Sequence, residues 1–372
     1  MIPQRPLRLV FVGLSLTSSW GNGHATTYRS LLRALHARGH DITFLERDMP
    51  WYAANRDLPD PDFCRLHLYD HVEDLRTKFT GALADADAVI LGSYVPDGIA
   101  AARIVQTTAT GVTALYDIDT PVTVAGILAG DCDYLARDVA GGFDLYLSFT
   151  SGPLLSFIED ELGAARARAL HCAVDPQHYR PLDGPRRWDL GYLGTYSADR
   201  QPPLEELLLE PARRRPDLRF VVAGPQYPDD IDWPENVQRI DHVPPDRHAD
   251  FYSALRWTLN VTRADMIRSG YSPSVRLFEA AACGTPIISD HWEGLDEFFI
   301  DGQEIRIARS AADVLATLDL ADAERGRIAE AARRRVLAQH TADRRAAELE
   351  ELLSEAAAEK NPSERPRALE EA

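Results

Sequence analysis

The chain has 372 residues, of which 45% are hydrophobic and 26% charged, with a formal net charge of −18. That length suits two domains better than one, and the balance supports sizeable cores. The acidic surface repels nucleic acid and anionic membranes, so neither is an expected partner, although small clusters of arginine can still hold phosphates.

No apolar run approaches the roughly 18–20 residues that cross a bilayer. Cys64, Cys132, Cys172 and Cys283 are scattered without zinc-site spacing and read as idle thiols of a reducing compartment. The first sixteen residues superficially resemble a signal peptide, but no small-residue cleavage site follows. A glycine loop and a helical pattern follow instead, so the expected location is the cytoplasm.

Leu7–Leu14 is a continuous apolar run, the pattern of a strand buried on both faces of a parallel sheet. Ser15–Ala25 is a loop, and Thr26–Arg38 has helical periodicity with Leu31, Leu32 and Leu35 on one side. Gly39 ends that helix in the manner of a C-cap. Further strands are expected at Asp41–Leu45, Ala88–Leu91, Val112–Tyr116 and Leu145–Phe149. Strands alternating with helices predict a doubly wound parallel sheet.

Asp175–Trp188 is rich in proline and charge and reads as a linker. A second series follows: strands at Leu190–Leu193, Phe220–Ala223, Asn236–Ile240, Trp257–Val261 and Pro286–Ser289, with helices at Leu204–Arg214 and from Val275 to Ala282. From about Ala321 to Glu359 the composition is that of a long helix. The expected organisation is therefore a first domain over 1–175, a linker over 176–188, a second domain over 189–340 and a helical tail over 341–372 with a disordered polar end.

Tandem α/β domains place a cleft at the carboxyl edges of two sheets, where open α/β sheets bind ligands. The segment from Asn260 to Asp290 is the most informative. A loop with Gly270, Ser272, Pro273 and Ser274 enters a helix that carries Arg276 and Glu279. A helix N-terminus offers unpaired N–H groups and partial positive charge to a phosphate. Arg263, Arg268 and Arg276 can add charge-assisted hydrogen bonds to a diphosphate. Glu279, one turn into the helix, suits the two hydroxyls of a ribose. The competing readings are surface arginines and a solvated helix carboxylate.

The stretch Phe278-Glu279-Ala280-Ala281-Ala282-Cys283-Gly284-Thr285-Pro286-Ile287-Ile288 resembles the E-A-x-A-C-G-x-P-V-I signature of GT-B glycosyltransferases. The wider pattern is similar to the CgeB-type members. Tyr192-Leu193-Gly194-Thr195 with Arg200, Val222-Ala223-Gly224 and His242-Val243-Pro244 sit where that family has its phosphate loop, a core strand and its base-contacting loop. The resemblance covers most of the chain and is strongest in the second half.

It implies two Rossmann-like domains facing a cleft and transfer of a sugar from a UDP-, GDP- or TDP-linked donor to an acceptor hydroxyl. Neither a bound metal nor a separate cofactor is implied. The implied donor site is Gly194, Thr195, Arg200, Gly224, His242, Val243, Arg263, Ser272, Ser274, Arg276 and Glu279. Many retaining members carry a further Glu eight positions before the ribose Glu, and here that position is Tyr271. The sugar contacts must therefore differ.

In the first domain, Trp20-Gly21-Asn22-Gly23-His24 follows the first strand. His24 resembles the general base of inverting members, a role that imidazole suits because it can take a proton near neutral pH; the alternative is a packing or capping histidine. Trp20, Gly23 and Trp51 are the expected acceptor contacts, aromatic faces being suited to stacking on sugars. Asp117-Ile118-Asp119 formally resembles a metal-binding D-x-D motif, but it lies in the acceptor half. An Asp there can orient His24, act as base, bind the acceptor, or cap the helix that opens at Thr120-Pro121. Glu46 ends the second strand and is the one acid placed for a dinucleotide ribose, yet Gly21-Asn22-Gly23 is not the G-x-G-x-x-G fingerprint. A sugar-nucleotide epimerase, a non-catalytic nucleotide-binding scaffold and a nicotinamide-dependent oxidoreductase are the competing functions.

Overall fold

The structure is a computed structural model that describes residues 5–21 and 23–360. Asn22 of the glycine loop and the polar end expected to be disordered lie outside the described residues. The chain divides into two compact units. The first comprises residues 5–18, 31–171 and 345–360; the second comprises 19–30 and 172–344.

The first unit holds seven strands: β1 Arg8–Gly13, β2 Asp41–Arg47, β3 Arg65–Tyr69, β4 Ala88–Gly92, β5 Val112–Asp117, β6 Leu145–Ser148 and β7 Ala167–Ala169. Their order is β3-β2-β1-β4-β5-β6-β7, and every pairing is parallel. β1, β4, β5 and β6 are buried along almost their whole length, which explains their unbroken apolar sequence. β3 and β7 were not expected. Both are edge strands, and β3 alternates arginine and histidine with leucine because much of it faces solvent.

The last helix, Ala342–Lys360, is fastened to this unit by polar clasps. Glu350 accepts two hydrogen bonds from Arg38, at 2.6 and 2.7 Å, and a third contact from His40 Nε2 at 2.7 Å. His40 Nδ1 accepts the Leu7 N–H at 3.0 Å, so Nε2 is the ring's donor to Glu350. Lys360 donates to the Gly111 carbonyl and to Asp144.

The second unit holds β8 Trp188–Leu193, β9 Phe220–Ala223, β10 Val237–Ile240, β11 Leu255–Asn260, β12 Ile287–Ser289 and β13 Arg306–Ile307. The order is β10-β9-β8-β11-β12-β13, again parallel throughout. Trp257, Phe220, Tyr192 and Leu259 are fully buried in its core. Each such side chain contributes roughly 1.5–3 kcal/mol by leaving water.

Gln201–Arg214 is one continuous helix with a widened turn over Glu205–Leu209. Pro211 lies just after that turn and has no N–H to give the carbonyl four residues earlier, which is the ordinary cause of such a bulge. The expected single tail helix is two, Asp322–Gln339 and Ala342–Lys360. At the break His340 stacks on Phe278, with ring centroids 4.5 Å apart. Among the described residues no helix is long and apolar enough to cross a membrane.

Candidate functional site

In the second sheet the chain order runs outward in opposite directions from β8, so β8 and β11 flank the topological switch point. A cavity of about 400 Å³ opens at the carboxyl ends of β8, β9 and β11. All its lining residues belong to the second unit, including Gly23 and Thr26 of the segment 19–30. Ten of the expected residues line it: Gly23, Gly194, Thr195, Arg200, Gly224, His242, Val243, Arg263, Arg276 and Glu279.

Two glycines make room for it. Gly194 follows β8 and Gly224 follows β9, and the Gly194 N–H donates to the Ala223 carbonyl at 2.8 Å. Gly224 has φ +147°, and a Cβ there would run into the Gly194 carbonyl. Only glycine accommodates both that backbone and that approach. Tyr227 donates to the Gly194 carbonyl at 3.2 Å, and Arg239, lying over the Tyr227 and Trp233 rings, donates to the Gly224 carbonyl at 3.0 Å.

Three arginines gather beside these glycines. Arg276 Nε donates to the Leu193 carbonyl at 2.5 Å, and its Nη1 donates to Asn260 Oδ1 at 3.0 Å and to Ser274 Oγ at 3.1 Å. Its guanidinium lies over the Tyr192 ring. Arg200 donates to Ser197 Oγ and to the Thr195 carbonyl. Burial, reinforced by the charges of Arg276 and Arg263, holds Arg200 below the ordinary arginine range. A half-buried cluster of like charges is costly alone and is relieved by an anion.

The cluster is anchored from behind. Asn260, fully buried at the end of β11, passes hydrogen bonds from its amide to Thr262 and Ser289, and Asp290 accepts from the Thr262 N–H and hydroxyl at 2.7 Å each. Burial outweighs these bonds and raises the Asp290 pKa above the usual carboxylate range. Asp199 accepts the Ala264 N–H at 2.9 Å, tying the loop after β8 to the helix that follows Arg263.

Glu279 is buried in the helix Val275–Ala282 and lines the cavity. Tyr252 donates to its Oε2 at 3.2 Å, and His248 Nδ1 stands 3.8 Å from the same oxygen. Burial first, then the Glu279 charge, pushes the Tyr179 and Tyr252 hydroxyls far above the ordinary tyrosine range, so both remain donors.

Several expected residues lie elsewhere. Ser272 is buried and does not line the cavity, and Ser274 precedes the helix as its N-cap residue, where it supports Arg276. Arg268 is exposed and pairs with Asp265. Tyr271 has φ +52°, covers Gly294 and directs its hydroxyl to Glu293. Trp20 is an exposed residue outside the lining. His24 opens the helix His24–Ala37, is mostly buried, and lies between the lining residues Gly23 and Thr26.

In the first unit, Asp117 ends β5 and is held by its own loop. It is wholly buried, accepting from Tyr146 at 2.6 Å, Thr123 at 2.8 Å and the Asp119 N–H at 3.2 Å. Burial pushes its pKa up to about 6 despite those donors. In this arrangement the carboxylate holds the loop after β5. Asp119 is the N-cap residue of the helix Thr120–Ala129 and receives the Tyr94 hydroxyl at 3.4 Å. Trp51 is half exposed in a short helix that begins at Pro50. Glu46 is completely buried and clasps the loop after β1, accepting from the Leu16 and Thr17 N–H groups and the Ser15 and Thr17 hydroxyls. It therefore has no capacity left for a dinucleotide ribose.

His248, Tyr179, Tyr252, Asn260 and Asp290 were not singled out in the sequence. Asn260 and Asp290 carry a faint signal, polar residues directly ending apolar strands. The others come from helices and a loop with no local mark of a site.

Residues 200–351 match the model of a family described as glycosyl transferase-like. Over 97 residues the chain is 35% identical to the bifunctional enzyme NodQ of Rhizobium sp. (strain BR816), covering 26% of this chain and 14% of that protein. Over 161 residues it is 27% identical to D-inositol 3-phosphate glycosyltransferase of Mycobacterium sp. (strain KMS), covering 37% of this chain and 35% of that protein. The chain thus spans about a third or less of the length of these curated relatives. A crystal structure of Anabaena HepE in complex with UDP and glucose superposes with a TM-score of 0.67 at 11% identity, covering 94% of this chain and all of that one. The two parallel-sheet, Rossmann-like units have the GT-B glycosyltransferase fold, and residues 200–351 carry the glycosyl transferase-like sequence within it.

Proposed function

We propose that the protein is a glycosyltransferase that moves a sugar, a hexose in the first instance, from a nucleoside-diphosphate donor to an acceptor hydroxyl. The observation that carries the reading is the convergence of Arg200, Arg263 and Arg276 on the Gly194–Gly224 step in a cavity that Glu279 also lines. A diphosphate brings an anion to the arginines that line the cavity, and a ribose brings hydroxyls to the Glu279 carboxylate. The glycines let phosphate oxygens approach the backbone, and the N-terminus of the helix Val275–Ala282 adds partial positive charge. HepE was crystallised with UDP, which favours a UDP-linked donor over GDP- and TDP-linked ones.

Departure of the nucleoside diphosphate develops negative charge, and the arginines are already oriented to receive it by Leu193, Asn260 and Thr195. Charge stabilisation by these side chains needs no metal ion. His24, beside the cavity-lining Gly23, is our assignment for the base that takes the acceptor proton, with Asp119 the alternative. Trp20 and Trp51 remain our candidates for acceptor contact. Membership of the CgeB-type group and a cytoplasmic setting complete the proposal; the four free thiols fit the latter.

The test is release of nucleoside diphosphate from UDP-, GDP- and TDP-hexoses with and without pooled hydroxyl acceptors. Acceptor-dependent release with one donor supports transfer. Conversion of the donor to an isomeric sugar nucleotide without acceptor points to the epimerase, and binding without turnover points to the scaffold.

A further inference from the structure

Behind the cavity a run of hydrogen bonds leads from a carboxylate to an arginine, and each link has a fixed direction. It starts at Asp290, just past β12. Asp290 Oδ2 accepts the Thr262 N–H at 2.7 Å, and Oδ1 accepts the Thr262 hydroxyl at 2.7 Å and the Ser289 hydroxyl at 3.3 Å. Each hydroxyl has one hydrogen and gives it to the carboxylate, so it offers only lone pairs to its other neighbour. That neighbour is the Asn260 amide, whose Nδ2 donates to Thr262 Oγ1 at 3.2 Å and to Ser289 Oγ at 3.0 Å. With its nitrogen committed, Asn260 turns its oxygen to Arg276, and Oδ1 accepts Nη1 at 3.0 Å. Asn260, Thr262, Ser289 and Asp290 are all buried, so two donors facing each other among them would be costly.

At the other end of the run, Arg276 lines the cavity while Asp290 does not. The Leu193 carbonyl fixes Nε, and Asn260 and Ser274 hold Nη1. Ser274 is a hydroxyl that can rotate to follow its partner, whereas the Asn260 amide is locked by its neighbours. Two fixed points, Leu193 and Asn260, set the plane of the rigid guanidinium. Nη2 then lies at the Gly194 step, where a Cβ on Gly194 would stand 2.8 Å from it.

We propose that Asp290 is a positioning residue for diphosphate binding: through the Thr262 and Ser289 hydroxyls it decides which end of the Asn260 amide faces Arg276, and so holds Nη2 on the Gly194 step. This deepens, and rests on, the donor-site reading given above. Burial raises the Asp290 pKa, and the Thr262 N–H, the two hydroxyls and the Arg276 charge work against that rise.

The test reverses the direction of the run while keeping its shape. In Asp290→Asn the Thr262 N–H still requires an oxygen, so the new amide nitrogen faces the two hydroxyls. They accept from it and donate toward Asn260, whose amide must then turn its oxygen to them and its nitrogen to Arg276. Adding Asn260→Asp, a side chain that only accepts, removes that opposition of donors. The experiment is calorimetric titration of UDP, GDP and TDP into the full chain at about pH 8, above the carboxylate range. The proteins are wild type, Asp290→Asn, and Asp290→Asn combined with Asn260→Asp. Asp290→Asn is expected to lose about tenfold in affinity for the nucleotide that wild type binds best, the scale of one lost hydrogen bond to a charged group. The combined variant should regain most of that loss, which a merely structural role for Asp290 would not allow. Thr262→Val removes one link and keeps the N–H; it should lose about three- to fivefold, and it decides the matter if Asp290→Asn does not fold. Unchanged affinity in Asp290→Asn or in Thr262→Val, or a combined variant no better than Asp290→Asn, overturns the role of Asp290 alone. Wild type that binds none of the three nucleotides overturns the donor-site reading, and the role of Asp290 with it.

Discussion

His24 and Asp117 are alternative candidates for the base in the sequence, and their surroundings differ. His24 adjoins a residue that lines the cavity, whereas Asp117 is sealed behind Tyr146 and Thr123. His24→Ala is expected to lower turnover by about 10²–10⁴-fold while leaving donor affinity intact, as loss of a general base does; wild-type turnover in that variant transfers the role elsewhere. For Asp117 the expected effect is on stability. Its pKa rises from 3.8 to about 6 on folding because burial disfavours the charged form. Between those values the folded state binds more protons than the unfolded one, so this group's contribution to stability falls as pH rises through that window. Relative to Asp117→Asn, wild type should lose roughly 1.4 kcal/mol for each unit of the shift between about pH 4 and 6. Denaturant unfolding at several pH values measures this, and a pH-independent difference between the two proteins contradicts it. Glu279, Arg276 and Gly194 were legible in the sequence because they sit at fixed offsets around a strand end and a helix start. For Asp117 the sequence showed its place at a strand's carboxyl end but not that the hydroxyls of Thr123 and Tyr146 close over it.

Among the elements, the turn after β9 carries the most constraint. Gly224 combines φ +147° with a contact to the Gly194 carbonyl that leaves no space for a methyl group. Gly224→Ala is expected to cost about 1–3 kcal/mol from backbone strain, and more if the loop after β8 cannot move aside. Nucleotide affinity should fall with it, because that loop carries Thr195 and the anchor of Arg200. Thermal melting and nucleotide titration of the variant check both; an unaltered melting point removes the steric account. The central strands of both sheets were readable as apolar runs. β3 and β7 were not, since edge strands need no unbroken apolar sequence. The tail read as one helix because alanine, arginine and glutamate favour helix on either side of His340. At the break the backbone of His340 and Ala342 bonds to Val174, and His340 stacks on Phe278, 62 positions away in the chain; both contacts are invisible to local pattern.

Taken as a whole molecule, the chain builds two parallel sheets of similar logic and places its recognisable ligand chemistry at the switch point of the second. That organisation was legible because parallel strands buried on both faces leave a strong sequence trace, repeated twice. Which pieces belong to which unit was less legible. Residues 19–30 cluster with the second unit and residues 345–360 with the first, through contacts such as Glu350 with Arg38 and His40 that span more than 300 positions. The central claim is that the second unit binds a nucleoside diphosphate through the arginine cluster and Glu279. A thermal-shift titration of wild type and Glu279→Ala with UDP, GDP, TDP and NAD tests it most directly. A ligand at a hundred times its dissociation constant stabilises by roughly 2.7 kcal/mol, which raises the melting point by several degrees. The account predicts such a shift with one nucleoside diphosphate, reduced in Glu279→Ala by a loss of about 1–3 kcal/mol in binding. No shift with any nucleoside diphosphate, or a shift with NAD alone, would contradict it.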